Sequence, residues 1–591
     1  MDAWYKDVDK KRKKRRENKK VMNDRRNVIS QPQYAVKSEK DVYVKMRDGI
    51  RLAVDIYRPD AAGKFPALLA SSPYGKKLME MVRWMPTSAR TEPLWDGCIE
   101  AGDIDYLVSR GYVHVIVDCR GTGASEGVFG FHAADAPDLY DLIEWIAAQP
   151  WCNGNVGTIG ISWFGATQMN AAIAAPPHLK AVFPQEFGTD LYRHVFYHGG
   201  ILCLFFLYLY YGIEGDSGWA LSATSRTAFY QALQDPNVKR AIQERLKDPD
   251  IRNYPNLYHR LHYPEKCPFF VFALINPTDG PFYQDYTFYK LFDKIKCPVY
   301  LVGNWENEIY TWGVFQAWEG INHVPKKMML TPAGFLRRPF VQYHDEMLRW
   351  YDYHLKGIDT GIMDEPPIKL FIMGSNEWRF ENEWPLARTE WTKFYLRDHG
   401  RLSTQLESLP TAPPDGFVQP PITATATIHS LSYKTEPLLT DVEVTGPIAL
   451  YLYASIDQDD ANWFIRFNDV DPLGKKVALS RGFLKASHRA LDQKQSKPWK
   501  PYHSHTNPEP VKSGEIYEYA IELMPNANVF KAGHCIELEI RGTESPKDPL
   551  YTVSYIGGNH LPVGRTVAHT IYHDKNHPSY LLLPIIPSKQ G

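Results

Sequence analysis

The chain has 591 residues, 44% of them hydrophobic and 23% charged, enough to bury several cores and to fill roughly two to four domains. Its 67 basic residues balance 68 acidic ones to a formal net charge of -1, so no global field draws it to nucleic acid or to an anionic membrane, and a substrate has to be recognised locally. Seven cysteines, at positions 98, 119, 152, 203, 267, 297 and 535, are an odd number without tight C-x-x-C spacing; they suit neither a disulfide framework nor a zinc motif and favour a reducing, cytoplasmic compartment.

Residues 1–28 carry twelve Lys/Arg, nine of them between Lys10 and Lys20, against five acids. Almost no apolar periodicity accompanies them, so this stretch reads as a solvated arm, with a nuclear-import or polyanion-binding tract at Lys10 to Arg16 as the alternative. A start this charged leaves no room for the apolar core of a signal peptide. No apolar run reaches the 18 residues of a membrane span. The closest, Ile201 to Tyr211, reads as a buried helix or pocket wall, with an interfacial lipid-facing patch as the alternative.

Globular text begins near Asp41. Val42 to Met46, the Asp48-Gly49 turn and the alternating Arg51 to Tyr57 predict a β-hairpin. Pro66 to Ala70, Val113 to Asp118 and Val156 to Ile161 predict short buried strands, and Asp138 to Ala148 an intervening helix. Strands alternating with helices imply a parallel sheet covered on both faces. From 181 to 285 that alternation gives way to aromatic helical text, read as an inserted cap. It resumes at Cys297 to Gly303 and ends in a helix carrying Met347, Leu348, Trp350, Tyr351 and Leu355. After Trp391 the text turns to strands punctuated by Pro and Gly, such as Pro447 to Ala454 and Ile536 to Ile540, with Pro410 to Pro421 as a lead-in loop; this predicts a β-sandwich or jelly roll. The expected architecture is an α/β-hydrolase core over 29–180 and 286–390, split by a helical cap over 181–285 and followed by a jelly roll over 391–591.

The strongest local signal is Gly157-Thr-Ile-Gly160-Ile-Ser162-Trp-Phe-Gly165, placed between a strand and the helix-forming Ala166 to Ala175. Such a nucleophile elbow holds a serine at a sharp strand-to-helix turn, with glycines two before and three after it so that neighbouring backbone approaches closely. The following helix N-terminus offers amides and a positive dipole end to an oxyanion. Ser162 is therefore the candidate acyl-accepting nucleophile. The Gly-rich Asp118 to Gly123 stretch lacks the spacing of a dinucleotide site and reads as a structural loop.

Taken with Met46-Arg-Asp-Gly49-Ile-Arg-Leu, Ser72-Pro-Tyr74, Asp118 to Gly127 and Glu383-Trp-Pro-Leu-Ala-Arg-Thr, the elbow makes residues 40 to 585 resemble the cocaine-esterase-like and X-prolyl dipeptidyl-peptidase (CocE/NonD) group of serine hydrolases. That family has an α/β-hydrolase core, an inserted helical cap and a C-terminal jelly roll; Gly446-Pro and Lys531-Ala-Gly-His534 resemble phrases of the last. The resemblance implies an oxyanion hole of the Tyr74 hydroxyl and the Trp163 backbone N–H. It places the triad acid at Glu306, in Val302-Gly-Asn-Trp-Glu306-Asn-Glu, with Glu308 as competitor. Where relatives carry the histidine, this chain reads Leu330-Thr-Pro-Ala-Gly334-Phe335-Leu, so Phe335 or Leu336 stands there. His344 is the nearest histidine downstream and the candidate base; a helix-packing role is its alternative, and His323 is a weaker competitor.

These residues predict a serine-dependent acyl hydrolase acting on an ester, thioester, lactone or amide of a hydrophobic small molecule. Acyl transfer on the same scaffold, and a catalytically silent small-molecule binder, stay open because of the displaced histidine. A peptidase role is less attractive, since no acidic clamp for a substrate amine can be assigned. No metal or organic cofactor is expected, because no H-E-x-x-H, clustered Cys/His or P-loop occurs. Self-association is left open.

Overall fold

The structure, a computed structural model, describes residues 28–84, 100–130, 135–204, 220–266, 268–307, 309–332, 343–405, 413–544 and 560–587. The basic arm up to residue 27, residues 205–211 of the apolar run, Glu308, Phe335, Leu336 and residues 410–412 of the lead-in loop lie outside the described residues.

The first sheet is built from β1 (Val36–Lys45), β2 (Arg51–Pro59), β3 (Phe65–Ser72), β4 (Val113–Asp118), β5 (Cys152–Thr158) and β6 (Leu179–Val182). After a two-residue pair, β7 (Tyr197–His198) and β8 (Ile201–Leu202), it continues with β9 (Val299–Asn304), β10 (Lys326–Thr331), β11 (Ile368–Ile372) and β12 (Glu377–Glu381). The order is β1-β2-β4-β3-β5-β6-β9-β10-β11-β12. Neighbours from β4 through to β11 are parallel, and the β1–β2, β2–β4 and β11–β12 pairs are antiparallel. All six residues of β4 and all six of β9 are buried, as expected of central strands covered on both sides. The helices Asp135–Ala147 and Trp163–Ala174 pack Leu139, Leu142 and Met169 onto one face. The helices Ile104–Ser109 and His344–Lys356 pack Leu107, Trp350 and Tyr351 onto the other.

Between β6 and β9 come a π-helical turn (Leu191–Phe196), the β7–β8 hairpin and short helices including Ala223–Ala232, Pro236–Arg245, Pro255–His262 and Pro268–Ile275. Five of the cap's helices open on proline, a position where the missing N–H costs nothing. The apolar run, expected as a helix or pocket wall, begins as strand β8 and continues into buried Cys203 and Leu204.

The C-terminal part departs from the expected jelly roll. Nine strands of its eleven-stranded sheet run through Val442–Ile456, Tyr517–Phe530, Lys476–Lys485, Asn462–Val470, Cys535–Arg541, Ser430–Lys434, Arg401–Ser403, Glu390–Arg397 and Tyr580–Ile586, and the last of these pairs back onto the first, while Val567–Tyr572 and Asp415–Gln419 extend from Val442–Ile456 as a branch. It is one closed ring rather than two facing sheets. Closure rests on the 15-residue strand Val442–Ile456, whose register shifts at Gly446, so its two halves can bend toward different partners. Inward and outward residues alternate alike in a sandwich and a barrel, which is why the pattern alone does not separate them.

One buried group sets a pH response. His114, on β4, is fully enclosed, and burial pushes its pKa down to about 3. It is neutral in the native chain, whereas the unfolded chain takes up a proton at its ordinary value of 6.5. Stability is therefore complete above that value and falls as pH drops toward about 3, by up to about 1.4 kcal/mol per pH unit for this group. His488 and His569 shift in the same direction, also by burial. Thermal unfolding is expected to soften between pH about 7 and about 5, and the loss to be smaller in His114→Gln; identical profiles for the two proteins would contradict this.

Candidate active site

β5 ends at Thr158, and four residues later Ser162 caps the helix Trp163–Ala174 with φ 62° and ψ -118°. A non-glycine residue occupies this region only when its surroundings hold it there. Here the Ser162 N–H donates to the carbonyls of Gln185 and Glu186, both at 3.0 Å, and the Ile161 N–H to the Glu100 carbonyl at 3.0 Å. A Cβ on Gly160 would overlap Phe164 and the Glu100 carbonyl, and one on Gly165 would overlap the Gln185 carbonyl. Both glycines are thus required for the close approach that holds the elbow.

The Ser162 hydroxyl lies 2.7 Å from the hydroxyl of Tyr310. Tyr310 closes the loop after β9, just before the helix Thr311–Gly320, and that loop is tied down by a buried carboxylate. Glu186, fully buried and at φ 44°, accepts from Asn304 Nδ2 at 2.6 Å and Asn307 Nδ2 at 3.2 Å. The two amide oxygens in turn accept from the Glu306 N–H (2.9 Å) and the Ile309 N–H (3.2 Å). The backbone carbonyls of Gln185 and Glu186 position Ser162, while the Glu186 side chain positions the loop that carries Tyr310.

The structure brings Tyr74 and Trp163 to the same place. The Tyr74 ring meets those of Trp163 and Phe164 edge-on, at centroid separations of 6.3 and 6.2 Å. The Tyr74 turn is held by its N–H donating to Ser72 Oγ at 3.2 Å. Behind it, Asp118 accepts from the N–H groups of Lys76 (2.8 Å) and Ala124 (3.0 Å), so the Gly-rich stretch is a brace for this turn. Trp163 opens the helix, where amides point out of the N-terminus. Glu306 is partly buried in the loop that presents Tyr310.

His344 is placed differently. It is buried in the first turn of the helix His344–Lys356, with its ring 4.4 Å from that of Tyr106. The hydroxyl of Ser162 bonds to Tyr310, and to neither Glu306 nor His344. The helix nevertheless sets the level of His344. Leu355 accepts from Asn155 at 2.9 Å and Tyr351 donates to the Thr158 carbonyl, so the helix runs antiparallel to β5. Seven residues from Tyr351 back to His344 rise about 10 Å, which matches about three strand residues beyond Thr158. By this count His344 lies toward the elbow's end of the sheet, on the face that carries Tyr106. His323 is engaged elsewhere: its Nε2–H donates to the Ile295 carbonyl at 2.7 Å.

Tyr310, Glu186, Asn304 and Asn307 escaped the sequence reading. Tyr310 is one of 36 tyrosines; the signal that could have found it is its place four residues after Glu306, in the same loop.

Residues 48–336 match the model of the X-Pro dipeptidyl-peptidase (S15 family), and residues 360–582 that of the X-Pro dipeptidyl-peptidase C-terminal non-catalytic domain. Ser162, Tyr74, Trp163, Glu306 and Tyr310 fall inside the first match, and His344 falls between the two. The chain is 29% identical to cocaine esterase of Rhodococcus sp. (strain MB1 Bresler), over 94% of this chain and 99% of that protein. In fold it is similar to a CocE/NonD family hydrolase from Staphylococcus aureus, with a TM-score of 0.72 and 24% identity over 93% of this chain and 94% of the other. It is also similar to an α-amino acid ester hydrolase, with a TM-score of 0.69 and 19% identity over 95% and 99%.

Proposed function

Since the chain belongs to the family of serine hydrolases that includes cocaine esterase and the X-Pro dipeptidyl-peptidases, we propose that it hydrolyses an ester, thioester, lactone or amide of a hydrophobic small molecule through an acyl-enzyme on Ser162. The observation that carries this reading is the held elbow, φ 62° at the head of a buried helix. Ser162 Oγ attacks the acyl carbon, and the oxyanion that forms accepts from the Tyr74 hydroxyl and the Trp163 N–H. Collapse expels the alcohol, thiol or amine, and water then releases the acid. Phe129, Trp163, Leu191, Tyr192, Phe196 and Tyr310 belong to one apolar cluster over this end of the sheet, which suits an apolar acyl or leaving group.

The serine proton must leave for the acyl-enzyme to form. We assign it to His344, in the first turn of the last core helix, with Glu306 as the carboxylate that supports the resulting charge; Tyr310 holds the hydroxyl in the resting site. Because the resting partner of Ser162 is a phenol rather than an imidazole, the second reading is a pocket that binds acyl compounds without turning them over.

Aryl esters of increasing acyl length test the proposal: steady release of the phenol, faster for longer acyl chains, supports it, and absence of turnover across the series favours the binding reading. In the same assay Tyr74→Phe is expected to lower kcat by about a hundredfold or more with little change in KM, because a single oxyanion donor acts mainly in the transition state. An unchanged kcat would remove Tyr74 from the site.

A further inference from the structure

The sequence holds no clustered Cys/His motif, but the fold makes one. His198, Cys203 and His560, all buried, each place a ligand atom within 4.8 Å of the other two. His198 and Cys203 come from the cap hairpin and the residue following it; His560 belongs to the C-terminal part, where it bridges Cys203 through a backbone β-pair. The hairpin is seated firmly. Gly199 and Gly200, both at positive φ, form its two-residue turn. The Gly199 carbonyl accepts from the Lys485 N–H at 2.8 Å, and a Cβ on Gly199 would overlap the Phe483 carbonyl.

His560 Nδ1 is 3.0 Å from Glu544 Oε2, which also accepts the His560 N–H at 3.0 Å, while Glu544 Oε1 pairs with Arg481 at 3.2 Å. A carboxylate held by a guanidinium only accepts, so Nδ1 carries a proton. His198 Nε2 is 3.1 Å from the His194 carbonyl, which also only accepts, so Nε2 carries a proton. In neutral imidazoles the remaining nitrogens, His198 Nδ1 and His560 Nε2, are then both lone pairs, and they face each other at 2.8 Å. That contact repels unless one proton is shared along it or both lone pairs turn onto a single cation beside the line that joins them.

We propose that His198 Nδ1, His560 Nε2 and Cys203 Sγ bind one zinc-class divalent cation, which clips the cap hairpin to the C-terminal barrel. Two imidazoles and a thiolate suit a tetrahedral, borderline-soft ion, and a water would complete its coordination. Glu544 on His560 and the His194 carbonyl on His198 are the outer partners that fix ligand tautomers at such sites. A proton shared by the two rings is the rival occupant. The site is separate from Ser162 and independent of the hydrolase reading.

The test uses the whole chain, stripped of metal and titrated with cobalt(II) alone. Binding of about one ion per chain, with a near-ultraviolet thiolate-to-cobalt band, is expected. Cys203→Ser should lose that band, and Glu544→Gln should weaken binding about 10- to 100-fold. Ser162→Ala should bind as the wild type does. A folded wild type that takes up no cobalt, or a band that persists in Cys203→Ser, overturns the proposal; because the first outcome needs no variant, a misfolded mutant cannot rescue it.

Discussion

Replacing Ser162 by alanine is expected to lower kcat by about four to six orders of magnitude, equivalent to about 5–8 kcal/mol of transition-state stabilisation. The fold should survive the change. The Ser162 side chain makes one hydrogen bond, to Tyr310, and the backbone at φ 62° is held by N–H contacts to Gln185 and Glu186 that alanine retains. The informative comparison is therefore turnover against thermal stability. Lost turnover with an unchanged melting temperature supports nucleophilic catalysis at this position; retained turnover removes Ser162 from the chemistry.

The second large effect is expected at His344. An unassisted serine hydroxyl is a poor nucleophile near neutral pH, so removing the group that takes its proton should lower kcat by about a thousandfold or more in His344→Ala. A base role also predicts that the wild-type rate falls as pH drops through the pKa of an imidazole, and that the residual rate of the variant loses this limb. A packing role predicts something else: His344 stacks on Tyr106, so a purely structural loss would appear as a lower melting temperature with the pH limb intact. If His344→Ala keeps its activity while Tyr310→Phe loses it, the phenol at 2.7 Å from Ser162 is the proton's partner and the assignment to His344 fails.

Much of the core was legible because each local signal agreed with its neighbours. Val113 to Asp118 was expected as a strand and is β4 over the same residues; the helix expected over Asp138 to Ala148 spans Asp135–Ala147. The elbow was legible because its two glycines do steric work that no other residue can do. Other features depend on contacts far apart in sequence. The ring closes because Val442–Ile456 pairs with Tyr580–Ile586, a choice of partner that alternation does not encode. Glu186, at the start of the cap insertion, and Tyr310, in the loop after β9, meet the elbow from 124 residues apart, and neither residue type announces itself. His198, Cys203 and His560 are separated by more than half the chain's length at their widest, so their convergence is visible only once β8 and His560 lie side by side.

An activated serine at the elbow should react covalently with an electrophile built for serine hydrolases. The most direct measurement is labelling of the purified protein and of Ser162→Ala with a fluorophosphonate probe, followed by mass mapping of the modified peptide. Covalent phosphonylation confined to Ser162, absent from the variant, is the result this account requires. A folded wild type that stays unlabelled, or that is labelled at another residue, would contradict it.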